Sequence, residues 1–221
     1  MSRAVNSVLI AVSIIAAATV GFGAYRVMHA KPVAPPPPAA AAEEPDTSVA
    51  SSAPVPQMRP VFSLEDADGK SRSITEWDGK TLVINFWATW CAPCRREIPM
   101  LKALSAARAA QDVVVIGIAV DFRDKVLPYA KEAGINYPLL IGEEDGLDAA
   151  TAFGLGSIGL PCTVFVDAKG RIVTAHLGEL HADQADLIVD TILDVNRGAI
   201  SIEAARTRIA AGMKAPERKN S

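Results

Sequence analysis

Residues 82–99 read LVINFWATWCAPCRREIP, and this stretch decides the fold. Its first part, with Thr81 before it, is mostly β-branched and aromatic, which predicts a strand over 81–87 that is buried on both faces. Its second half opens a segment rich in Ala, Leu, Arg and Glu, from Arg95 to about Ala110, which predicts a helix. Two cysteines lie at the junction, so the pattern places Cys91 at the helix N-terminus and Cys94 one turn further in.

A C-x-x-C pair at a helix N-terminus has the chemistry of disulfide exchange. That reaction needs a nucleophilic thiolate and a second thiol close enough to displace the mixed disulfide. The unpaired N–H groups and partial positive charge of a helix N-terminus stabilise a thiolate. We therefore expect Cys91 to be the attacking nucleophile and Cys94 the more buried resolving thiol.

Half of a structural zinc site is the alternative for this motif. Such a site usually takes four ligands, often from two C-x-x-C pairs. The chain has three cysteines and no second C-x-x-C, and its histidines lack a companion pair. The pattern thus favours a redox pair, and we expect no metal and no cofactor.

The chain around this motif alternates short apolar strands with helices. Further strands are predicted at 61–64, 113–120, 137–141, 163–167 and 171–175, with 73–75 pairing back on the first as a hairpin. Further helices are predicted at 124–133, 147–153, 182–196 and 202–211. This order predicts an α/β fold with an N-terminal β-hairpin and a mixed central sheet flanked by helices.

Residues 1–30 are expected to form a membrane anchor. From about Ala4 to Val27 nearly all residues are small or apolar, and a span of about 20 such residues can cross a hydrocarbon core. A cleaved signal peptide is the alternative, although its apolar stretch is typically about 7–15 residues long. Basic residues stand on both sides of the span, so the positive-inside rule does not decide its orientation.

Residues 31–60 contain PVAPPPPAAAAEEPD, a composition typical of a semi-rigid spacer. A ligand for proline-binding domains is the weaker alternative.

We expect the globular domain over 61–197, followed by a C-terminal helix and a disordered tail over 198–221. The net charge is −3 and the basic residues are scattered, which gives no reason to expect a nucleic-acid partner.

The pattern W-C-x-P-C-R-x-E-x-P from Trp90 to Pro99, with the strand before it, resembles the thioredoxin superfamily. Within it, the chain resembles the TlpA/ResA-like branch over about Val61 to Val195. The resemblance implies a thioredoxin fold in which residues 120–141 supply an inserted strand and helix. It also implies a thiol–disulfide oxidoreductase held in the inner membrane by a single N-terminal helix, with its C-terminal domain in the periplasm.

The same resemblance implies roles for further residues. Gly159 to Asp167 is similar to the family's cis-proline loop and the strand after it. Pro161 would then complete the catalytic site beside the cysteines, and the backbone of Leu160 would pair with a bound substrate chain. An ordinary turn proline is the alternative. The remaining positions expected to contact substrate are Trp90, Ala92 and Pro93.

Proton handling separates this branch from ordinary thioredoxins, which usually have a buried Asp where this chain has Asn85. Asn85 cannot titrate, so it cannot receive the Cys94 proton. The branch commonly has a glutamate at the position of Glu97, and a partly buried carboxylate there would have a raised pKa and accept the proton. A solvated helix residue is the alternative for Glu97. Arg95 and Arg96 are expected to be exposed rather than catalytic.

Cys162 follows the predicted cis-proline, where Thr, Ser or Ala is commoner in the family. A strand cysteine is most often a small buried hydrophobe, which is the interpretation we favour. A regulatory or mispairing thiol near Cys91 is the alternative.

Four functions are compatible with a C-x-x-C motif. The resemblance favours a reductase of protein disulfides that a membrane electron donor re-reduces, with clients in cytochrome c maturation or copper-site assembly. A protein-thiol oxidant is the second hypothesis, because redox direction depends on a potential that the sequence does not give. A peroxidase would usually have a lone cysteine in another motif. A non-enzymatic copper-binding chaperone would want a well-placed histidine near soft ligands.

Overall fold

The computed structural model describes residues 57–155 and 159–214. The predicted anchor over 1–30, most of the predicted spacer and nearly all of the predicted tail lie outside these residues. Within the two described ranges, no helix is both long and apolar enough to cross a bilayer.

A mixed sheet of seven strands forms the centre of the described region, in the order β2-β1-β5-β4-β3-β6-β7. Its strands are β1 (Ser63–Asp66), β2 (Ser71–Ser73), β3 (Thr81–Trp87), β4 (Val113–Ala119), β5 (Leu139–Ile141), β6 (Cys162–Val166) and β7 (Ile172–Leu177). The β3–β4 and β4–β5 pairs are parallel. The other pairs are antiparallel, including the N-terminal β1–β2 hairpin, which joins the sheet through β5. The predicted mixed sheet is confirmed.

Helices cover both faces of this sheet, as predicted. They are α1 (Ala92–Arg108), α2 (Arg123–Ala133), α3 (Glu144–Ala152), α4 (Ala182–Asn196) and α5 (Ile202–Met213). One face of β3 presents Val83 to a core built with α1, α4 and α5, while Trp87 on the same face packs with α2. The opposite face presents Phe86, which meets Phe153 just after α3 at a ring-centroid distance of 5.9 Å. The α2–β5 segment is the inserted helix and strand that the family resemblance implies.

Side chains cap the backbone at the ends of two elements, and one of these ends differs from prediction. The second hairpin strand ends at Ser73 instead of Thr75, since the Ser73 hydroxyl accepts from the Thr75 N–H and starts a 3₁₀ turn. The C-x-x-C helix begins at Ala92 with Cys91 as its N-cap, so Cys91 lies at the helix N-terminus as predicted. Such caps satisfy backbone N–H groups that would otherwise lack a partner at a helix start.

The neighbours of β3 position the site. The chain leaves β3 at Trp87 and reaches Cys91 within four residues, so the cysteine helix starts directly at the strand's carboxyl end. On one side β6 pairs antiparallel with β3 and places Thr163 opposite Asn85. On the other side β4 runs parallel and ends at the same edge of the sheet. Segments from three strands therefore meet around the cysteines.

Candidate active site

Cys91 and Cys94 form a disulfide at the N-terminus of α1, with their Cα atoms 5.3 Å apart. The backbone N–H of Cys94 donates to Cys91 Sγ over 3.3 Å. Cys91 is 5% exposed and Cys94 is fully buried. After reduction, the Cys91 sulfur would keep the helix N-terminus beside it, an arrangement that favours a thiolate over a thiol.

A buried carboxylate holds the loop before Cys91 in place. Asp121, just past β4, accepts hydrogen bonds from the Thr89 hydroxyl and from the Thr89 backbone N–H at 2.9 Å. Its other oxygen accepts from the Phe122 N–H at 2.8 Å. The sequence motifs did not single out Asp121. A charged residue directly after a buried strand was the available signal, because a carboxylate in that position needs donors nearby.

The three residues predicted to contact substrate flank the cysteines on the surface. The Trp90 side chain is 71% exposed, Ala92 is exposed and Pro93 is half-buried. Phe122, the N-cap residue of α2, is a further exposed aromatic side chain that the Asp121 hydrogen bonds connect to this loop. These side chains are available to a docked chain, and their role as substrate contacts stays a prediction.

The Leu160–Pro161 peptide bond is cis. Pro161 is buried, and its carbonyl accepts from the Gly178 N–H at 2.9 Å. The half-buried Leu160 side chain packs against the apolar cluster that contains both disulfide cysteines. The structure thus brings this loop to the disulfide, as the resemblance implies.

Glu97 lies almost entirely out of solvent, 2% exposed, on the buried side of α1. Its Oε1 accepts from Asn85 Nδ2 at 2.7 Å, and its Oε2 accepts from the Leu180 N–H at 2.9 Å. Burial raises the pKa of Glu97 to about 7, although both hydrogen bonds favour the carboxylate and oppose the rise. A carboxyl group with that pKa exchanges protons near neutral pH.

Polar contacts extend from Glu97 into the sheet. Asn85 Nδ2 also donates to Thr163 Oγ1 at 3.0 Å. Three buried polar atoms have no hydrogen-bond partner within the described part of the chain: Asn85 Oδ1, Trp87 Nε1 and Tyr137 Oη. The sequence pattern did not identify the Leu180 N–H as a partner of Glu97 or Thr163 as a partner of Asn85, because the members of each pair are distant in sequence.

Cys162 is a buried side chain, and Arg95 and Arg96 are exposed, in agreement with the interpretations favoured for these residues. Cys162 is fully buried in the core on the Phe86 face, and burial raises the pKa of its thiol to about 12. Arg95 and Arg96 are both exposed. Arg96 forms an ion pair with Glu179 at 2.5 Å, which holds the loop after β7 against α1. Within residues 57–155 and 159–214, no three His, Cys, Asp or Glu side chains converge as metal ligands.

A family model described as AhpC/TSA family matches residues 55–175. A thiol–disulfide oxidoreductase ResA of Halalkalibacterium halodurans is 30% identical over 132 residues, which cover 59% of this chain and 73% of that protein. The ResA of Geobacillus thermodenitrificans is 32% identical over 114 residues, which cover 51% of this chain and 63% of the relative.

A solved structure also resembles the chain. A crystal structure of a thiol:disulfide interchange protein, a thioredoxin family protein from Chlorobium tepidum TLS, is similar with a TM-score of 0.57 and 33% sequence identity. The similarity covers 62% of this chain and 97% of that one.

Proposed function

We propose, from the premise that this chain belongs to the AhpC/TSA family and is a thiol–disulfide oxidoreductase of the TlpA/ResA-like type, that it reduces disulfides in client proteins. The family match and the similar proteins confirm the resemblance to this family and the thioredoxin fold. The observation that carries the proposal is the disulfide at the start of α1, with the buried carboxyl group of Glu97 on the same helix.

The reduced dithiol would transfer two electrons to the client in two exchange steps. The Cys91 thiolate attacks one sulfur of the client disulfide, forms a mixed disulfide and releases the other client sulfur as a thiolate. The Cys94 thiolate then attacks Cys91 Sγ, which forms the intramolecular disulfide and releases the second client sulfur. A second thiol–disulfide exchange with a membrane electron donor returns the enzyme to the dithiol.

The second step needs a base, because Cys94 is buried and attacks only as a thiolate. Glu97 is the proposed acceptor of the Cys94 proton. It lies one helical turn past Cys94, and its pKa of about 7 suits both gain and loss of a proton at neutral pH. Asn85 cannot take this part, because an amide does not titrate in this range.

We place the domain in the periplasm, held to the inner membrane by residues 1–30 and separated from it by the spacer over 31–60. The apolar composition of the first segment and the proline content of the second support this arrangement. Apocytochrome c and copper-site assembly factors are the proposed clients. A fusion of alkaline phosphatase after residue 60 should be active in cells, and an inactive but stable fusion would contradict the location.

The direction of the reaction is tested by the reduction potential of the Cys91–Cys94 pair and by client trapping. We expect a potential nearer to that of thioredoxin, about −270 mV, than to that of a strong oxidant, about −120 mV. A Cys94→Ser variant should accumulate mixed disulfides with clients, whereas Cys91→Ser should not. Cys162→Ala is the matched control and should keep the wild-type potential. An oxidising potential, with clients trapped during thiol oxidation, would refute the reductase.

A further inference from the structure

We propose that Asn85 is a positioning residue for Glu97, and that Thr163 fixes the orientation in which Asn85 acts. The inference rests on the proposed role of Glu97 as proton acceptor and adds the groups that hold its carboxylate in place. It follows from a continuous line of hydrogen bonds that joins the cis-proline strand β6, the central strand β3 and the cysteine helix α1.

The two oxygens of Glu97 are held by donors of different kinds. Oε2 accepts from the Leu180 N–H, whose direction is set by the backbone. Oε1 accepts from Asn85 Nδ2, a side-chain group that could rotate away. The geometry of the carboxylate therefore depends on whether the Asn85 amide is itself held.

Thr163 supplies that restraint. Asn85 and Thr163 lie directly opposite each other in the β3–β6 register, and Thr163 Oγ1 accepts from Asn85 Nδ2 at 3.0 Å. An amide nitrogen carries two N–H groups, so both are used, one by Glu97 and one by Thr163. Rotation of the amide would turn its oxygen toward the Glu97 carboxylate, which repels it.

The oxygen of the Asn85 amide shows which contacts determine this orientation. Asn85 Oδ1 is buried and lacks a hydrogen-bond partner among the described residues, which costs free energy. A purely structural asparagine would be expected to pair its oxygen as well. Among the described residues both N–H groups have an acceptor and the oxygen has no donor, so the amide is oriented for donation to Glu97.

An uncharged donor suits this position on β3. A carboxylate in place of Asn85 would contact Glu97, and two acids sharing one site raise the pKa of one of them strongly. An apolar side chain would leave Oε1 of a buried carboxylate without a donor. An amide supports the charged form of Glu97 without adding a second titrating group.

Titratable and charged groups approach Glu97 from four elements. They are Cys94 on α1, Cys162 on β6, Glu179 and His181 in the loop after β7, and Tyr137 before β5. Among them, the negative charge of Glu179 raises the pKa of Glu97 and His181 lowers it. Substitutions at Asn85 and Thr163 leave all these groups in the protein.

The test is the titration of the Glu97 carboxyl carbon by NMR in the oxidised full chain, with ¹³C-labelled glutamate and Glu97→Gln to assign the signal. Asn85→Ala should move the midpoint to higher pH by about one to two units, because it removes a hydrogen bond to a charged group. Thr163→Val, which keeps the shape and removes the oxygen, should move it in the same direction by less. Thr163→Ser, which keeps the oxygen, should retain the wild-type midpoint.

The matched control is Thr191→Val, which removes a buried hydroxyl that donates to the Leu187 carbonyl on α4, and it should not move the midpoint. If Asn85→Ala does not fold, the contrast between Thr163→Val and Thr163→Ser decides. Unchanged midpoints in the Asn85 and Thr163 variants would overturn the positioning role.

Kinetics separate this inference from the proposed function. In every folded variant, the pH dependence of the disulfide exchange rate should shift by the same amount as the midpoint of the Glu97 titration. If the Glu97 midpoint moves and the rate profile does not, Glu97 is positioned as proposed and its role as proton acceptor is wrong. If Glu97→Gln slows exchange but Asn85→Ala leaves the midpoint unchanged, the function stands and the positioning role is wrong.

Discussion

The carboxylate of Asp121 accepts hydrogen bonds from both the backbone N–H and the hydroxyl of Thr89, two residues before Cys91. Asp121 lies just past the carboxyl end of β4 and is 5% exposed. The contact joins the loop that leads into the disulfide to the segment that starts α2. Neither residue takes part in the proposed exchange steps, but both shape the approach to Cys91.

Asp121→Ala should lower the free energy of unfolding by about 2–3 kcal/mol, because it leaves the N–H groups of Thr89 and Phe122 without their acceptor. Denaturant unfolding of the oxidised protein measures the change. The control is Asp124→Ala, a nearby exposed acid on the first turn of α2, which should cost less than about 1 kcal/mol. Equal losses from the two variants would show that the Asp121 contacts contribute little.

The raised pKa of Glu97 makes stability depend on pH. Glutamate in an unfolded chain titrates near its ordinary value of about 4.3, whereas Glu97 in the folded protein titrates at about 7. Between these values the folded state binds a proton that the unfolded state has lost. The contribution of Glu97 is therefore fully present below the unfolded value and disappears as the pH rises through 7.

We expect the unfolding free energy of the wild type, relative to Glu97→Gln, to fall by about 3 kcal/mol between pH 4 and pH 8. Unfolding curves of both oxidised proteins across this range give the difference. Glu203→Gln, a change at an exposed carboxyl group on α5, should show no such fall. A pH-independent difference between wild type and Glu97→Gln would contradict the raised pKa.

The three cysteines should differ in alkylation after reduction. Cys91 is at the helix N-terminus and slightly exposed, while Cys94 and Cys162 are fully buried. Burial also raises the pKa of the Cys162 thiol to about 12, so little thiolate forms at neutral pH. Mass spectrometry after brief iodoacetamide treatment should find Cys91 modified first, and all three modified in guanidinium. Rapid labelling of Cys162 in the folded protein would support the regulatory-thiol alternative.

Much of the fold could be predicted because its signals are local. β3 was predicted to the residue, since a run of six apolar or β-branched residues and one Asn leaves little alternative to a buried strand. The bounds of α4 were also predicted, because its apolar residues repeat at helical spacing. Strand β2 was displaced by the cap at Ser73, which acts at a single position.

The surroundings of the site were less accessible to sequence reasoning. The cysteines and Glu97 were identified because a short motif contains them. The partners of Glu97 are 12 residues away at Asn85 and 83 residues away at Leu180. Packing of α1 against the sheet brings these groups together. A single sequence contains no local pattern that indicates which distant residues will be in contact. The partner of Asp121 was not predictable for the same reason, because Thr89 lies 32 residues away.

Gly117 on β4 should not tolerate a larger side chain, because two aromatic rings occupy the space above it. A Cβ atom there would lie 3.0 Å from Tyr137 Cε2 and 3.2 Å from Trp87 Nε1. Both rings are buried and packed, so relief requires movement of the core beside the active site. We expect Gly117→Ala to lower the unfolding free energy by about 1–3 kcal/mol.

The control for this substitution is Gly159→Ala, since a Cβ atom at Gly159 would meet nothing within 4 Å. That variant should differ from wild type by less than about 0.5 kcal/mol. Near-ultraviolet circular dichroism gives a second readout, because movement of Trp87 and Tyr137 alters their aromatic signal only in the Gly117 variant. If Gly117→Ala is as stable as wild type with an unchanged spectrum, the rings above β4 are not tightly packed and this part of the core can adjust without cost.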